Sequence, residues 1–415
     1  MTPRNSQRCI ISGVESTLHL CFWDDRSGVN QIYYLRSTDR GETWEREIPL
    51  STGPAGALLP SIASAGSLIH LAWVDKREGD NGEIYYRGSN DNGRIWSEEI
   101  RMSFDTAKSE LPCLAAEGEN VHLVWRDNRQ NRFIWQIFYR RSTDGGVNWS
   151  VEQQLTYATS IKWNPSLAVS NGVVHLVWGD NRDGDWNVYY KRSLDNGVTW
   201  SPDIRLTETV FAQQWPCVAV DDSLVIVAWS DNEDVDGELW CRTSYNRGEV
   251  WNEQVRITDG SAQPGIWAPS LAVSGSRIHA VWPDGRDGNF EIYYACSEDF
   301  GQNWTEFRLT SDSAVSNYPG ITVNGTMVHV AWSDFRDSQN GEIYYKRNPT
   351  GNTGIRESAA VNLRIKGVGF TLRPGKKAVI YDVSGRRLLV DQRLGAGLYF
   401  VLTDSGRQKY FITRR

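Results

Sequence analysis

The chain has 415 residues, enough for a large core and more than one domain. Its 44 Lys and Arg stand against 51 Asp and Glu, a formal charge of −7, so it lacks the basic footprint of a protein that binds nucleic acid or an anionic membrane. No run approaches the ~18 apolar residues of a membrane-spanning helix, while 19 Trp and 17 Tyr are far above ordinary usage.

Met1-Thr2-Pro3-Arg4-Asn5 leads straight into a predicted strand, so no signal peptide is read at this end, and an exported form would have lost its leader. The six Cys show no CxxC or other zinc spacing and read as small buried hydrophobes. Cys9 and Cys21 fall on the two arms of one predicted hairpin, where an oxidising compartment would let them pair.

Aligning the chain on Trp23, Trp73, Trp125, Trp178, Trp229, Trp282 and Trp332 gives seven units 50 to 53 residues apart. Thirteen residues before each of the last six stands a proline: Pro60, Pro112, Pro165, Pro216, Pro269 and Pro319. Ile10 holds that place in the first unit. Turn residues break short apolar runs roughly every ten residues, with no helical period, which is an all-β pattern. In the second unit, strands are expected at Pro60–Ser64, Leu68–Asp75, Glu83–Ser89 and Ile95–Met102. Runs such as Val121-His122-Leu123-Val124-Trp125 are apolar on both sides, as sheets covered on both faces require. Seven such sheets predict an all-β fold, a seven-bladed β-propeller.

Before each fourth strand the chain writes a turn, as in Ser142-Thr143-Asp144-Gly145-Gly146-Val147-Asn148-Trp149. The pattern Ser-x-Asp-x-Gly-x-x-Trp returns at Ser37–Trp44, Ser89–Trp96, Ser193–Trp200 and Ser297–Trp304, and at Ser244–Trp251 with Asn246 for the acid. The acid bonds the turn backbone, Gly takes the positive-φ position, and Trp plugs the turn onto the sheet. These turns resemble the Asp-box repeat of the sialidase superfamily, and the resemblance covers about 350 residues.

The seventh unit offers three strands, Gly320–Val323, Val328–Asp334 and Glu342–Arg347, and then Asn348-Pro349-Thr350-Gly351-Asn352-Thr353-Gly354 replaces the turn. The expected domains are therefore a propeller at 1–348 with an incomplete last blade, a linker at 349–354, and a small C-terminal β-sandwich at 355–415. Within the last, Val379-Ile380-Tyr381-Asp382-Val383-Ser384-Gly385-Arg386-Arg387, then Ala396-Gly397-Leu398-Tyr399-Phe400-Val401, then the basic end Tyr410–Arg415, resemble the sorting domain of proteins exported by the bacterial type IX secretion system.

Candidate chemistry divides by symmetry. His19, His70, His122, His175, His279 and His329 all fall three or four residues before a repeat Trp, and a residue repeated around a ring reads as packing rather than as a catalytic base or metal ligand. Asp75-Lys76-Arg77 and its copies at Asp127, Asp180, Asp284 and Asp334 read as loop clamps on the same ground. Asp231-Asn232-Glu233-Asp234-Val235-Asp236-Gly237-Glu238 is rich enough in oxygen to consider calcium, but it lacks the EF-hand spacing and reads as a solvated acidic loop. No catalytic residue, metal site or cofactor is assigned.

Asymmetric residues gather on the face of the 2–3 loops. Trp163, Trp215, Trp267 and Tyr318 stand just before strand-one prolines, where units two and three carry Leu58-Leu59 and Glu110-Leu111. Trp135, Trp186 and Phe290 occupy 2–3 loops that elsewhere hold Gly82, Gly237 and Gly341. Exposed aromatics at a rim are what flat sugar faces stack on; plugging of the funnel between blades is the competing reading. The superfamily resemblance implies an Arg-Ile-Pro motif on the first inner strand, two further inner arginines, a Tyr–Glu pair and an Asp. Arg8-Cys9-Ile10 falls in the first place without its proline, and the other inner positions hold Leu58, Glu110, Trp163, Gln214, Trp267 and Asn317. Nothing in the sequence pairs Glu110 with Tyr318.

The sequence therefore predicts a secreted or bacterial surface protein, expected to be monomeric, that binds a glycan or another extracellular polymer through Trp163, Trp215, Trp267, Tyr318, Trp186, Phe290, Trp135, Glu110 and Arg8. A glycoside hydrolase with a diverged site and a structural or protein-binding propeller are the alternatives.

Overall fold

The structure, a computed structural model, describes residues 11–105, 107–207, 213–231, 237–258, 268–336 and 341–348, and the backbone of 379–382, 387–388, 397–403 and 406–412. The chain divides into two compact units, Met1–Leu363 and Arg364–Arg415. In the first, six four-stranded antiparallel sheets and one three-stranded sheet form the seven blades of a β-propeller. Each inner strand packs against the next, and Ser316–Asn324 of blade seven meets Ile11–Val14 of blade one to close the ring. Blade seven consists of Ser316–Asn324, Met327–Asp334 and Glu342–Asn348 among the described residues. In the second unit the described strands make one antiparallel sheet, in the spatial order Arg387–Leu388, Val379–Asp382, Gly397–Thr403, Gly406–Ile412. The rest of the sandwich expected there lies outside the described residues.

Strand lengths depart from the sequence reading in both directions. The outer strand of blade two is only Ile100–Arg101, because the turn and its Trp take up the chain as far as Glu99. The inner strand runs longer, Ala57–Ala65, since pairing continues past a bulge on the N-terminal side of Pro60.

Backbone hydrogen bonds sort the connections onto two faces. The turns before the outer strands lie beside the 1–2 turns: Gly145 N donates to Glu119 O at 2.9 Å and Asn92 N to Ser67 O at 3.0 Å. On the opposite face the 2–3 loops meet the links between blades, as Ser109 N to Gly82 O at 3.3 Å and Ser316 N to Phe290 O at 2.7 Å.

One joint explains most of the repeat. In the turn of blade three, Gly146 N donates to Ser142 Oγ at 2.9 Å, Asn148 N donates to Asp144 Oδ1 at 2.8 Å, and Trp149 Nε1 donates to Gly146 O at 3.1 Å. Trp149 then meets Tyr86 of blade two edge-on, with centroids 4.9 Å apart, and the Tyr86 hydroxyl is 2.8 Å from His70 Nδ1. Gly146 has a φ of +85°, and a Cβ on it would stand 1.9 Å from Tyr86 Oη. Blades two, four and five repeat the contact with Gly93 on Tyr34, Gly197 on Tyr139 and Gly248 on Tyr190. Gly41 and Trp44 of blade one close on Tyr345 of blade seven in the same way. Blade five holds Ile226 and Cys241 where the others hold His and Tyr, and there Gly301 of blade six rests on Thr243 instead. His, Tyr, Gly and Trp therefore recur together because each completes its neighbour's joint.

Six of the seven tryptophans that align the repeats form the centre of the sheets; Trp73, Trp125, Trp178, Trp229, Trp282 and Trp332 are at most 1% exposed. In blade one Phe22 takes that place, stacked on Tyr33, and Trp23 falls one residue later and partly exposed. Cys21, Cys113, Cys217, Cys241 and Cys296 are buried thiols. Cys21 is free, and its expected partner Cys9 lies outside the described residues.

Candidate functional site

The Asp-x-Arg loops are braces. Asp75 accepts from Trp73 Nε1 at 3.0 Å and from Arg77 N at 3.0 Å. Arg77 continues to Glu99, just before the outer strand, and lies over Tyr85, 4.3 Å from its centroid. Asp127–Arg129, Asp180–Arg182, Asp284–Arg286, Asp334–Arg336 and, in blade one, Asp24–Arg26 repeat the pairing. A brace present in six blades distinguishes none of them as a site.

The site begins instead at a bulge in the inner strands. In blades two, three, four, five and seven the register slips by one residue around the repeat proline, between Leu58 and Ser61, Glu110 and Cys113, Trp163 and Ser166, Gln214 and Cys217, and Asn317 and Gly320. The residue preceding each proline, Leu59, Leu111, Asn164, Trp215 and Tyr318, has a φ between +54° and +58°. Bulges re-aim side chains, and this one brings together residues at two different registers. Trp163 lies two residues before its proline and Trp215 one before, yet their rings meet edge-on at 6.0 Å.

Around Trp163 the chain departs from its own repeat. Arg126, directly after the strand Trp of blade three, pairs across the sheet with Glu110; the equivalent position elsewhere holds Trp23, Val74, Gly179, Ser230, Pro283 or Ser333. The Arg126 Cζ lies 3.6 Å from the centroid of Trp163 and 4.0 Å from that of Trp135, so the guanidinium is held between two indoles. Its Nη2 donates to Glu110, which also takes Lys108 Nζ at 2.9 Å. Burial pulls the Arg126 pKa down to about 10, against the pull of Glu110, and leaves it charged at neutral pH. Burial pushes the Glu110 pKa upward, but Arg126 and Lys108 outweigh it and hold the carboxyl below its usual range.

In blade four the equivalent position is Gly179, and a Cβ there would stand 3.6 Å from Trp186 and 3.8 Å from the Trp163 Cβ. Glycine in this strand thus gives the two indoles their seats. Beneath them Lys162 is buried, its Nζ donating to Ser160 Oγ at 2.8 Å and to Ser160 O at 3.2 Å, with Asp180 at 3.9 Å. Burial pulls its pKa down to about 8, with Asp180 acting the other way. It ties the link between blades three and four under the aromatic surface.

The expected site residues therefore separate. Trp135, Glu110, Trp163, Trp186 and Trp215, from three successive blades, come together and are each partly exposed. Tyr318 stands on blade seven, half-buried, its backbone N bonded to Asn317 Oδ1 at 2.8 Å, and Phe290 lies on blade six. Trp267 and Arg8 lie outside the described residues, as does most of the acidic loop at 232–236. Arg126 lies on the second strand, away from the inner positions where the superfamily resemblance implies arginines; its signal in the sequence is the break in the repeat immediately after Trp125.

No protein-family model matches the sequence, and no curated protein matches it. Among solved structures, an ulvan lyase of a polysaccharide lyase family is similar over 82% of this chain and 91% of its own, with 11% identity and a TM-score of 0.59. A protein of unknown function from Dyadobacter fermentans is similar over 69% and 93%, with 15% identity and a TM-score of 0.50. Trypanosoma rangeli sialidase is 12% identical, with coverage of 73% and 56% and a TM-score of 0.49. The chain spans little more than half the length of the sialidases it matches. At these identities the likeness is one of fold.

Proposed function

We propose that the protein binds a glycan or a related extracellular polymer at the Trp135–Trp163–Trp215 cluster. The observation that carries this reading is four partly exposed tryptophans, counting Trp186, converging from blades three, four and five on one face of an otherwise repetitive ring. Large rings left partly wet cost free energy unless a ligand covers them, and indole faces suit the C–H faces of sugars. The fold accords with this, being shared with a polysaccharide lyase. Glu110, held ionised between Arg126 and Lys108, is no general acid at neutral pH, so binding is favoured over hydrolysis. Reading the Ser-x-Asp turns as Asp-boxes and the C-terminal unit as a sorting module supports a protein that works outside the cell or on its surface.

A glycan array probed with the intact chain tests the reading. Trp163→Ala and Trp215→Ala should each weaken binding about five- to tenfold, the loss of roughly 1 kcal/mol of stacking, with melting temperature little changed. An array without hits, or variants that melt far below the parent, would remove the proposal.

A further inference from the structure

The buried charge of Arg126 is the least expected group in the molecule. A propeller blade does not need it, since the six other blades place Trp23, Val74, Gly179, Ser230, Pro283 or Ser333 at that position. Hydrogen bonding does not account for it either. Glu110 takes Nη2, but Nε and Nη1 are buried without a partner, and the side chain is only 4% exposed. Leaving such donors unpaired is costly, so what retains the residue lies on the faces of the guanidinium rather than at its edges. Both faces are occupied, by Trp163 at 3.6 Å and Trp135 at 4.0 Å. Trp163 in turn braces Trp215 edge-on at 6.0 Å.

We propose that Arg126 is a positioning residue, a flat clip that fixes Trp135 and Trp163, and through Trp163 also Trp215, into one preassembled stacking platform without itself reaching the ligand. Glu110 orients the clip by holding one end, and Lys108 holds Glu110. The purpose of the platform rests on the glycan reading above; its assembly does not. An indole is a bulky rotor, and fixing it before binding removes the cost of ordering it at the moment of contact. Arginine suits the task because its planar cation stacks on two rings at once, which an ammonium does not do.

The test needs no ligand. Edge-on indoles at this spacing couple excitonically, and the circular dichroism of the parent minus that of Trp215→Phe collects the couplings of Trp215, the 6.0 Å pair with Trp163 among them. The same difference is then measured in the Arg126→Lys background, which keeps the positive charge and the partner of Glu110. The expected result is a fall of the difference spectrum to less than half, with the unfolding transition retained. Glu110→Gln, which releases one end of the clip but leaves the rings, should lower it by a smaller amount in the same direction and serves if Arg126→Lys does not fold. A difference spectrum unchanged in the folded variants overturns the proposal. If the glycan array gives no hits while the couplet still collapses, the functional reading fails and the positioning role stands. If glycans bind, Arg126→Lys should weaken them about fivefold although Arg126 touches none.

Discussion

Gly146→Ala is expected to melt the propeller far below the parent, while Gly145→Ala, one residue earlier in the same turn, leaves it close to the parent. Both glycines have positive φ, +69° at Gly145 and +85° at Gly146, so both substitutions incur the left-handed penalty of about 1–2 kcal/mol. The difference lies in what the new methyl meets. At Gly145 it would find Leu68 Cδ1 at 3.4 Å, a contact that yields by a few tenths of an ångström. At Gly146 it would stand 1.9 Å from Tyr86 Oη and 2.8 Å from Cζ, so the tyrosine must leave. Tyr86 is 1% exposed, bonded to His70 and covered by Trp149, so the expulsion opens the joint between blades two and three. A total on the order of 4 kcal/mol is expected, in the range of large-to-small changes in a core. Thermal melts of the two variants, with Gly146→Ala/Tyr86→Phe as a partial rescue, check the ranking. Equal melting temperatures for Gly145→Ala and Gly146→Ala would falsify the joint as the cause of the repeat.

That joint also shows why so much of the fold was legible. At five of the joints a blade presents the same Tyr to its neighbour's Gly, so the sequence repeats these residues at one spacing, and counting the repeats counts blades. Blade seven has three strands among the described residues, and the sequence expects no more because Asn348 runs into Pro349 where the other units write Ser-x-Asp. The site was harder to see, because it consists of departures from the repeat, and a departure is recognised only once the right register is aligned. By sequence, Trp163 and Trp215 are alike, each an aromatic just before a strand-one proline. They occupy different registers, and only the bulge, with Trp215 at a φ of +57°, turns them toward each other. Tyr318 shares the bulge position of Trp215 but sits on blade seven, away from the blades that carry the described tryptophans of the cluster. Arg126 lay in plain view on the second strand, where position alone could not say that Trp135 and Trp163 would close over it. Local spacing encodes the contacts that recur; a contact made once, between three blades, needs the ring to be closed first.

Acid should unfold the protein cooperatively and steeply, with stability falling as soon as pH drops below 6.5. The six histidines are buried beside tyrosine hydroxyls, and their pKa values are pulled down, first by burial, to about 3 for His19 and His175 and about 4 for His70, His122, His279 and His329. Arg36, Arg141, Arg192, Arg277 and Arg347 add repulsion in five of the six. A native pKa below that of the unfolded chain means that the unfolded state binds the proton first. Each histidine therefore leaves stability intact above pH 6.5 and removes it as pH falls from there toward 4, at up to ~1.4 kcal/mol per pH unit. Six acting together remove roughly 8 kcal/mol per unit, enough to exhaust the stability of an ordinary domain near pH 5. The turn carboxylates act later, since Asp144 and Asp195 titrate at about 2 in the folded chain. The measurement is the pH dependence of the denaturant midpoint between 7 and 5, read as the number of protons taken up on unfolding, with six the upper limit. Blade five supplies the control, because Ile226 and Cys241 already replace one His–Tyr pair there without loss of the blade. His122→Ile combined with Tyr139→Cys copies that arrangement and should lower the proton count by one while shifting the acid midpoint downward. A midpoint flat between pH 7 and 5, or a proton count unmoved by the blade-three exchange, would show that the histidines titrate alike in both states.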